Sequence, residues 1–363
     1  MKYSSLLARC VWGPVIVVGV LELCARVDDA LMYGAPLLGR YSSENLFVRD
    51  RIGLRGRPGA RFQKWRLNSL GYRGPELRPG SIRIVCIGAS ETFGLYEAEG
   101  HEYPRLLEHA LNAWAGNDVF QVENVAVVGQ PLAVATLRVP EIVEQVHPSL
   151  AIIYASGATY TWLPWVQEEP VSSGAAPPDP GPASGRVEWR IMERLRNLLK
   201  QGLPSAVQTE LRRLAIARDI ARNRYPVMNR VPDENVRRFR QDLLRLIAAL
   251  RARGVEPVLV THATAFGKEL SGEDHELLVA WRKFYPMLDE NGFLDMEQRM
   301  NGAIREVAAQ EHVSLIDAAR ELPRGREYFG DFSHFTSMGA EVMATRLADG
   351  LRPLIDARLP RRN

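Results

Sequence analysis

The chain has 363 residues, 46% of them hydrophobic and 25% charged, with a formal net charge of +3. That length suits one large α/β domain with insertions or two modest ones, and the composition excludes wholesale disorder. Three cysteines (Cys10, Cys24, Cys86) are odd in number and badly spaced for a metal site or a disulfide framework.

At the N-terminus, Lys2 and Arg9 precede an uncharged apolar run, Val11 to Leu21, with Glu22 next. A run this short suits a signal-peptide core, a buried helix or a marginal membrane span. Counting from Leu6 to Cys24, with Arg9 reaching the interface, brings it nearer to a span. Leu23-Cys24-Ala25 is a poor cleavage site, and Leu21 to Cys24 is a poor lipoprotein signal. Residues 1–30 are therefore expected as an uncleaved single-pass anchor, ahead of a cleaved signal peptide or a buried helix. Basic residues before the run and Asp28-Asp29 after it favour an N-inside orientation. The rest of the chain would then face the periplasm or cell exterior, tied to the cell membrane.

Residues 31–80 carry turn signals at Pro58-Gly59, Gly71 and Gly74-Pro75, and read as short strands and turns leading into the main domain. From 81 to 358, strand-like runs alternate with helix-like ones. The strands are expected at 82–87, 120–128, 150–154, 257–261 and 313–316, and the helices at 103–114, 132–146, 235–253, 295–311 and 337–354. Met296, Met300, Ile304 and Val307 fall near helical spacing. Cys86, inside the first strand, reads as a small buried hydrophobe. This alternation predicts a flavodoxin-like three-layer sandwich with a five-stranded parallel sheet. Ligands bind such sheets beyond the carboxyl ends of the strands.

Residues 161–234 interrupt the alternation. Glu169 to Gly185 is rich in Pro, Gly and Ser and reads as a flexible loop. Helices are expected over 186–200 and 207–222. Residues 186–240 hold fourteen Lys/Arg against six Asp/Glu. Such a surplus is either a solvated helical face or a contact for anionic lipid or acidic glycan. Nucleic acid is not an expected partner, because aromatic interleaving and a recognition motif are absent.

Gly88-Ala89-Ser90-Glu91-Thr92 follows the first strand directly, so a tight turn presents the Ser90 hydroxyl at the sheet edge. Alone, such a turn is structural more often than catalytic. It is not a P-loop, since no Lys-Ser/Thr follows at the required spacing. Asp331-Phe332-Ser333-His334 supplies what a nucleophile needs. At i and i+3, Asp331 can hold the His334 imidazole while its other nitrogen takes the serine proton. The Ser90 N–H and Gly129 are candidate donors to a developing oxyanion, with a third expected in Ser156-Gly157-Ala158-Thr159. His262, Tyr160, Trp162, Trp165 and Trp281 are candidates for a substrate cleft, although plain packing explains the tryptophans equally well.

The blocks Gly88 to Gly94, Gly129 and Asp331-x-x-His334 resemble those of the SGNH hydrolase superfamily, the GDSL-like esterases and lipases. Asn68 to Glu76 is similar to the segment before the first block in bacterial membrane-anchored members, and Val258 to Thr261 to the family's fourth strand. The resemblance spans about 65–160 and 235–355. It implies a serine esterase or deacylase with a Ser90–His334–Asp331 triad and no metal or organic cofactor. The implied substrate is an ester, with O-acetyl groups of an extracytoplasmic glycan as one class. O-acyl transfer to an envelope polysaccharide, and a noncatalytic glycan-binding role, are the alternatives. Two departures stand out. Ala89 replaces a frequent Asp, and the third block reads Gly157-Ala158-Thr159 where Gly-x-Asn is usual, so Thr159 stands in for the asparagine donor.

Overall fold

Five apolar runs, each too short for a helix, pair side by side as a parallel sheet. They are β1 (Ile82–Gly88), β2 (Phe120–Asn124), β3 (Leu150–Tyr154), β4 (Glu256–Val260) and β5 (Ser314–Ile316). The structure, a computed structural model, describes residues 2–39, 41–162, 189–267 and 269–358, with the backbone alone for 2–11, 162, 200 and 201. The strand order is β2-β1-β3-β4-β5, every neighbouring pair parallel. This is the expected flavodoxin-like order, with a switch point between β1 and its two neighbours.

Both faces of the sheet are covered, which is why β2 and β3 are buried along their whole length. Alternation along β1 divides its side chains between two cores. Val85 and Ile87 pack with residues of helices Leu132–Val146, Asp233–Arg251 and Glu290–Gln310. Ile84 and Cys86 pack with residues of helices Tyr103–Ala115 and Ser337–Arg358. Cys86 is a fully buried free thiol, the small hydrophobe the sequence suggests.

Two details depart from expectation. The strand expected to run to Val128 ends at Asn124, whose side chain donates to Thr92 O at 2.8 Å and accepts from Ala126 N at 3.3 Å, turning the chain out of the sheet. An unanticipated helix, Gly272–Arg282, is nucleated by a capping box between Ser271 and Asp274.

The N-terminal helix runs from Lys2 to Tyr33. No helix among the described residues is long and apolar enough to cross a membrane. The expected span is thus unsupported, for a physical reason: past Leu21 the helix carries charges, and these are used in packing. Glu22 pairs with Arg26 at 2.7 Å and accepts from Ile191 N at 2.9 Å. Asp29 pairs with Arg190 at 3.3 Å and with Arg194 at 2.5 Å, and Arg194 also reaches Asp28. Part of the basic surplus in the insertion therefore neutralises the two aspartates that follow the apolar run. Two insertion helices, Arg190–Gln201 and Ser205–Asn223, match the expected pair closely. The Pro-rich loop and Arg186 lie outside the described residues, as does the Arg9 side chain.

The lead-in folds as two short hairpins, Phe47–Arg49 with Leu54–Gly56 and Arg61–Phe62 with Trp65–Arg66. Phe62, Trp65 and Phe93 form a small aromatic cluster that joins this segment to the end of the helix bearing Ser90.

Candidate active site

β1 ends at Gly88, and one turn of helix, Ser90–Phe93, starts immediately after Ala89. A Cβ on Gly88 would lie 2.0 Å from Thr92 Oγ1 and 3.0 Å from Tyr154 O, so glycine alone allows this close return of the chain. Thr92 cannot move aside easily, because its wholly buried hydroxyl bonds the Tyr103 hydroxyl at 2.9 Å. Gly94, at φ +84°, closes the turn. Ser90 is thereby fixed, half-buried, beyond the carboxyl end of β1. Its hydroxyl donates to Glu91 Oε2 at 3.3 Å.

The Asp331–His334 loop is tied together by its own carboxylate. Asp331 Oδ1 accepts from the backbone N–H groups of Ser333 and His334, at 3.0 and 2.9 Å. His334 Nδ1 lies 2.9 Å from Oδ2 and 3.0 Å from Oδ1, the contact expected from the i, i+3 spacing. A carboxylate there assigns the proton to Nδ1 and leaves Nε2 as the acceptor. Nε2 is buried and has no hydrogen-bond partner. The Tyr96 hydroxyl donates to Asp331 Oδ2 at 2.9 Å, and its ring meets the imidazole edge-on at 5.7 Å. Burial pulls the His334 imidazole down, but the hydrogen bond with Asp331 and the charges of Glu91, Asp331 and Glu97 outweigh it and hold the group above its ordinary value. Burial likewise pushes the Asp331 carboxyl up, and the bonds to His334 and the loop backbone bring it below the usual range.

The oxyanion candidates follow adjacent strands. Gly129, at φ +69° with open space around its Cβ position, sits in a turn closed by Gln130 N donating to Val127 O at 3.1 Å. Its glycine is required by backbone conformation rather than by crowding. Thr159 lies in the 3-10 turn Ala158–Trp162, and its hydroxyl oxygen is buried without a partner. Ser90, Gly129 and Thr159 thus follow β1, β2 and β3 at one end of the sheet.

The cleft candidates fare differently. Tyr160 is a core residue: 2% exposed, it donates to Asp242 at 3.0 Å and meets Phe239 edge-on at 5.2 Å. Trp281 is also core, stacked on Phe293 at 4.2 Å and on Phe332 at 4.8 Å, and so backs the His334 loop from beneath. The Trp162 side chain and Trp165 lie outside the described residues. His262 is 3% exposed, and both its ring nitrogens are engaged. With Glu297 it lines a cavity of about 400 Å³ whose lining includes neither Ser90 nor His334.

Several residues missed by sequence reading complete the site. Glu91, beside Ser90, is buried and accepts from the Ser333 hydroxyl at 2.9 Å and from His262 Nε2 at 3.4 Å. His262 Nδ1 bonds Glu297 Oε2 at 2.9 Å. Asn301 brackets the His262 backbone, accepting from its N–H at 2.7 Å and donating to its carbonyl at 2.8 Å. Burial lowers the His262 imidazole, yet Glu297 first and Glu91 second hold it well above its ordinary value. Burial raises Glu91, and the His262 hydrogen bond with the charges of both histidines brings it below the ordinary carboxylate range. Burial pushes nearby Glu97 up to about 7. The legible signal was polar Glu297 and Asn301, four apart among the buried Met296, Met300 and Ile304.

No family model matches the chain, and no curated protein matches it in sequence. Similar folds occur among solved structures. A lipolytic protein of the G-D-S-L family from Desulfitobacterium hafniense is 12% identical over 75% of this chain and 100% of its own, with a TM-score of 0.40. The lipase/acylhydrolase from Enterococcus faecalis is 14% identical over 75% and 96%, with a TM-score of 0.43. An acetyl xylan esterase is 12% identical over 74% and 100%, with a TM-score of 0.41.

Proposed function

We propose that this chain is a serine esterase or deacylase of the SGNH type. One observation carries the reading: His334 is held by Asp331 through Nδ1 while Nε2 is buried without a partner, and Glu91 accepts from both the Ser90 hydroxyl and that of Ser333, the neighbour of His334. Glu91, the group that Ser90 contacts, is the weaker base, since its carboxyl is held below the ordinary range.

Ser90 Oγ attacks the ester carbonyl carbon and its proton passes to His334 Nε2. The carbonyl oxygen becomes an oxyanion received by the N–H groups of Ser90 and Gly129 and by the Thr159 hydroxyl. His334 returns the proton to the departing alcohol, leaving an acyl group on Ser90. Water, deprotonated by His334, then releases the acid and restores the serine. Asp331 stabilises the imidazolium in both halves. These steps call for no metal or organic cofactor. Transfer to a glycan hydroxyl would use the same acyl-enzyme with an alcohol in place of water. The Thr159 hydroxyl, buried without a partner, is free to donate, which favours catalysis over a purely binding role.

A fluorophosphonate probe is expected to form one adduct on the intact protein, mapped to Ser90 and absent from Ser90→Ala. An unlabelled wild-type protein would sink the reading.

We also assign the enzyme to the outer side of a membrane, tethered by its N-terminal helix, with acylated glycans as the substrate class met there. The support is the exposed apolar surface of that helix, where Val15, Ile16, Val17 and Val20 are each more than half exposed. The full chain is expected to stay with membranes after alkaline carbonate extraction. Release into the supernatant would remove the tether.

A further inference from the structure

Glu91 is the meeting point of three segments that sequence separates widely. Its two oxygens take the Ser90 hydroxyl at 3.3 Å, the Ser333 hydroxyl at 2.9 Å and His262 Nε2 at 3.4 Å. The first lies on the turn after β1, the second beside His334, and the third at the end of β4. A carboxylate 6% exposed is retained only if it is paired and hydrogen-bonded. His262 supplies the pairing, and is itself backed by Glu297 and bracketed through its backbone by Asn301. The chain Glu297–His262–Glu91 thus runs from helix Glu290–Gln310 to the residue next to Ser90.

Two buried carboxyl groups share one imidazole, which they hold well above its ordinary value, so acidic groups outnumber the basic one beside the site. A structural salt bridge would need only one of them. That acidic surplus faces His334, the group that becomes cationic when Ser90 loses its proton. We propose that Glu91 is a second positioning carboxylate of this site: anchored by His262 and Glu297, it holds the Ser90 hydroxyl and the Ser333–His334 loop in register and stabilises the His334 imidazolium by its charge.

The inference rests on the serine-esterase reading for its role in turnover, but the electrostatic link stands apart from it. Among the described residues, the charged and titratable groups that face these three come from several elements. His334 is met by Asp331 and Ser333 of its own loop, by Tyr96 and Glu97 after the Ser90 helix, and by Glu91. Glu91 is met by Ser90, Ser333 and both histidines, with the hydroxyls of Tyr103, Tyr154 and Tyr285 within its field. His262 is met by Glu297, Glu91 and the stacked ring of Tyr154 at 5.4 Å.

The sign follows. The negative charge of Glu91 raises His334, and a general base works in its neutral form. Glu91→Gln, which keeps the shape and can accept from Ser333 through its amide oxygen while its NH2 donates to the Ser90 hydroxyl, therefore moves the acid limb of kcat/KM to lower pH. On the alkaline plateau the same variant falls by about 10-fold, because the imidazolium formed in the transition state loses its stabiliser. Glu91→Asp recovers the limb in part. His262→Gln strips Glu91 of its imidazole partner, so the limb moves as in Glu91→Gln at low pH and returns as Glu91 ionises.

The deciding measurement is the titration of His334 by NMR in full-length wild type and Glu91→Gln, beside the pH profile of fluorophosphonate labelling. A downward shift of the His334 midpoint in Glu91→Gln is the expected result. An unchanged midpoint in a folded Glu91→Gln overturns the proposal. Should that variant not fold, Glu91→Ala removes the same charge, and an unchanged midpoint there overturns it equally. A wild type that never labels, but whose His334 midpoint shifts on substitution, would retain the link and remove the esterase reading.

Discussion

Ser90→Ala is expected to lower turnover of an aryl acetate by about 10⁶-fold, and His334→Ala by a similar factor. The two act as one unit: without the imidazole the hydroxyl is a poor nucleophile, and without the hydroxyl the imidazole has nothing to activate. The double variant should therefore lose little more than either single one. Asp331→Asn is expected to cost about 10⁴-fold, since an amide neither enforces the Nδ1-protonated tautomer nor stabilises the imidazolium. Asp331 also accepts from two backbone N–H groups and from Tyr96, so part of that loss will come from a looser loop. Initial rates on each variant, with circular dichroism to verify folding, decide the matter. His334→Ala with wild-type kcat would exclude the imidazole as base. The pH dependence has a fixed direction. Because His334 sits above its ordinary value in the folded protein, turnover should rise with pH along a limb displaced above that of a free imidazole.

The parts of this site legible in sequence are those set by local chain geometry. Gly88 before Ser90 marks a turn that no side chain fits, and Asp331 three residues before His334 is close enough to pair within one loop. The sheet was legible for a similar reason: the strands are short apolar runs separated by helical ones, and right-handed crossovers make the flavodoxin-like order the default. What sequence concealed depends on contacts between distant segments. Glu91 and Ser333 are 242 positions apart, and nothing local to either says that the hydroxyl donates to the carboxylate. Tyr160 and Trp281 stood as cleft candidates because an aromatic side chain suits a pocket wall and a core equally. Only the packing of Phe239 on one and of Phe293 and Phe332 on the other separates the two cases. The N-terminal helix misled in another way. Its apolar run was clear, but the partners of Asp28 and Asp29 lie more than 160 positions away in the insertion.

The lead-in segment shows how such distant contacts support the site, and Arg73→Met is expected to destabilise the protein by about 3–5 kcal/mol. Arg73 is 2% exposed, and its guanidinium gathers backbone oxygens from the far end of the Ser90 helix and the loop beyond it. Nη1 donates to the carbonyls of Phe93 and Gly94, the last residue and the cap of the Ser90 helix. Nη2 donates to Glu97 O at 3.3 Å and Ala98 O at 3.2 Å, and pairs with Glu102 at 3.3 Å. The backbone of Arg73 also donates to Asn124 O at 3.1 Å, continuing the edge of β2. Methionine preserves length and much of the apolar stem, so the change isolates the charge and its donors. It strands Glu102, itself 2% exposed, and removes a donor from the buried Phe93 and Glu97 carbonyls, whereas Gly94 O keeps the Trp65 indole N–H and Ala98 O the His101 N–H. A loss of that size corresponds to a fall in Tm of roughly 4–8 °C for a domain of this length. Adding Glu102→Gln should recover part of it, because an amide left buried costs less than an unpaired carboxylate. Thermal unfolding of the three variants against wild type is the measurement, and an unchanged Tm in Arg73→Met would refute the role. Activity should fall with stability but by a smaller factor than in Ser90→Ala, since Arg73 holds the far end of the helix and touches none of the reacting atoms.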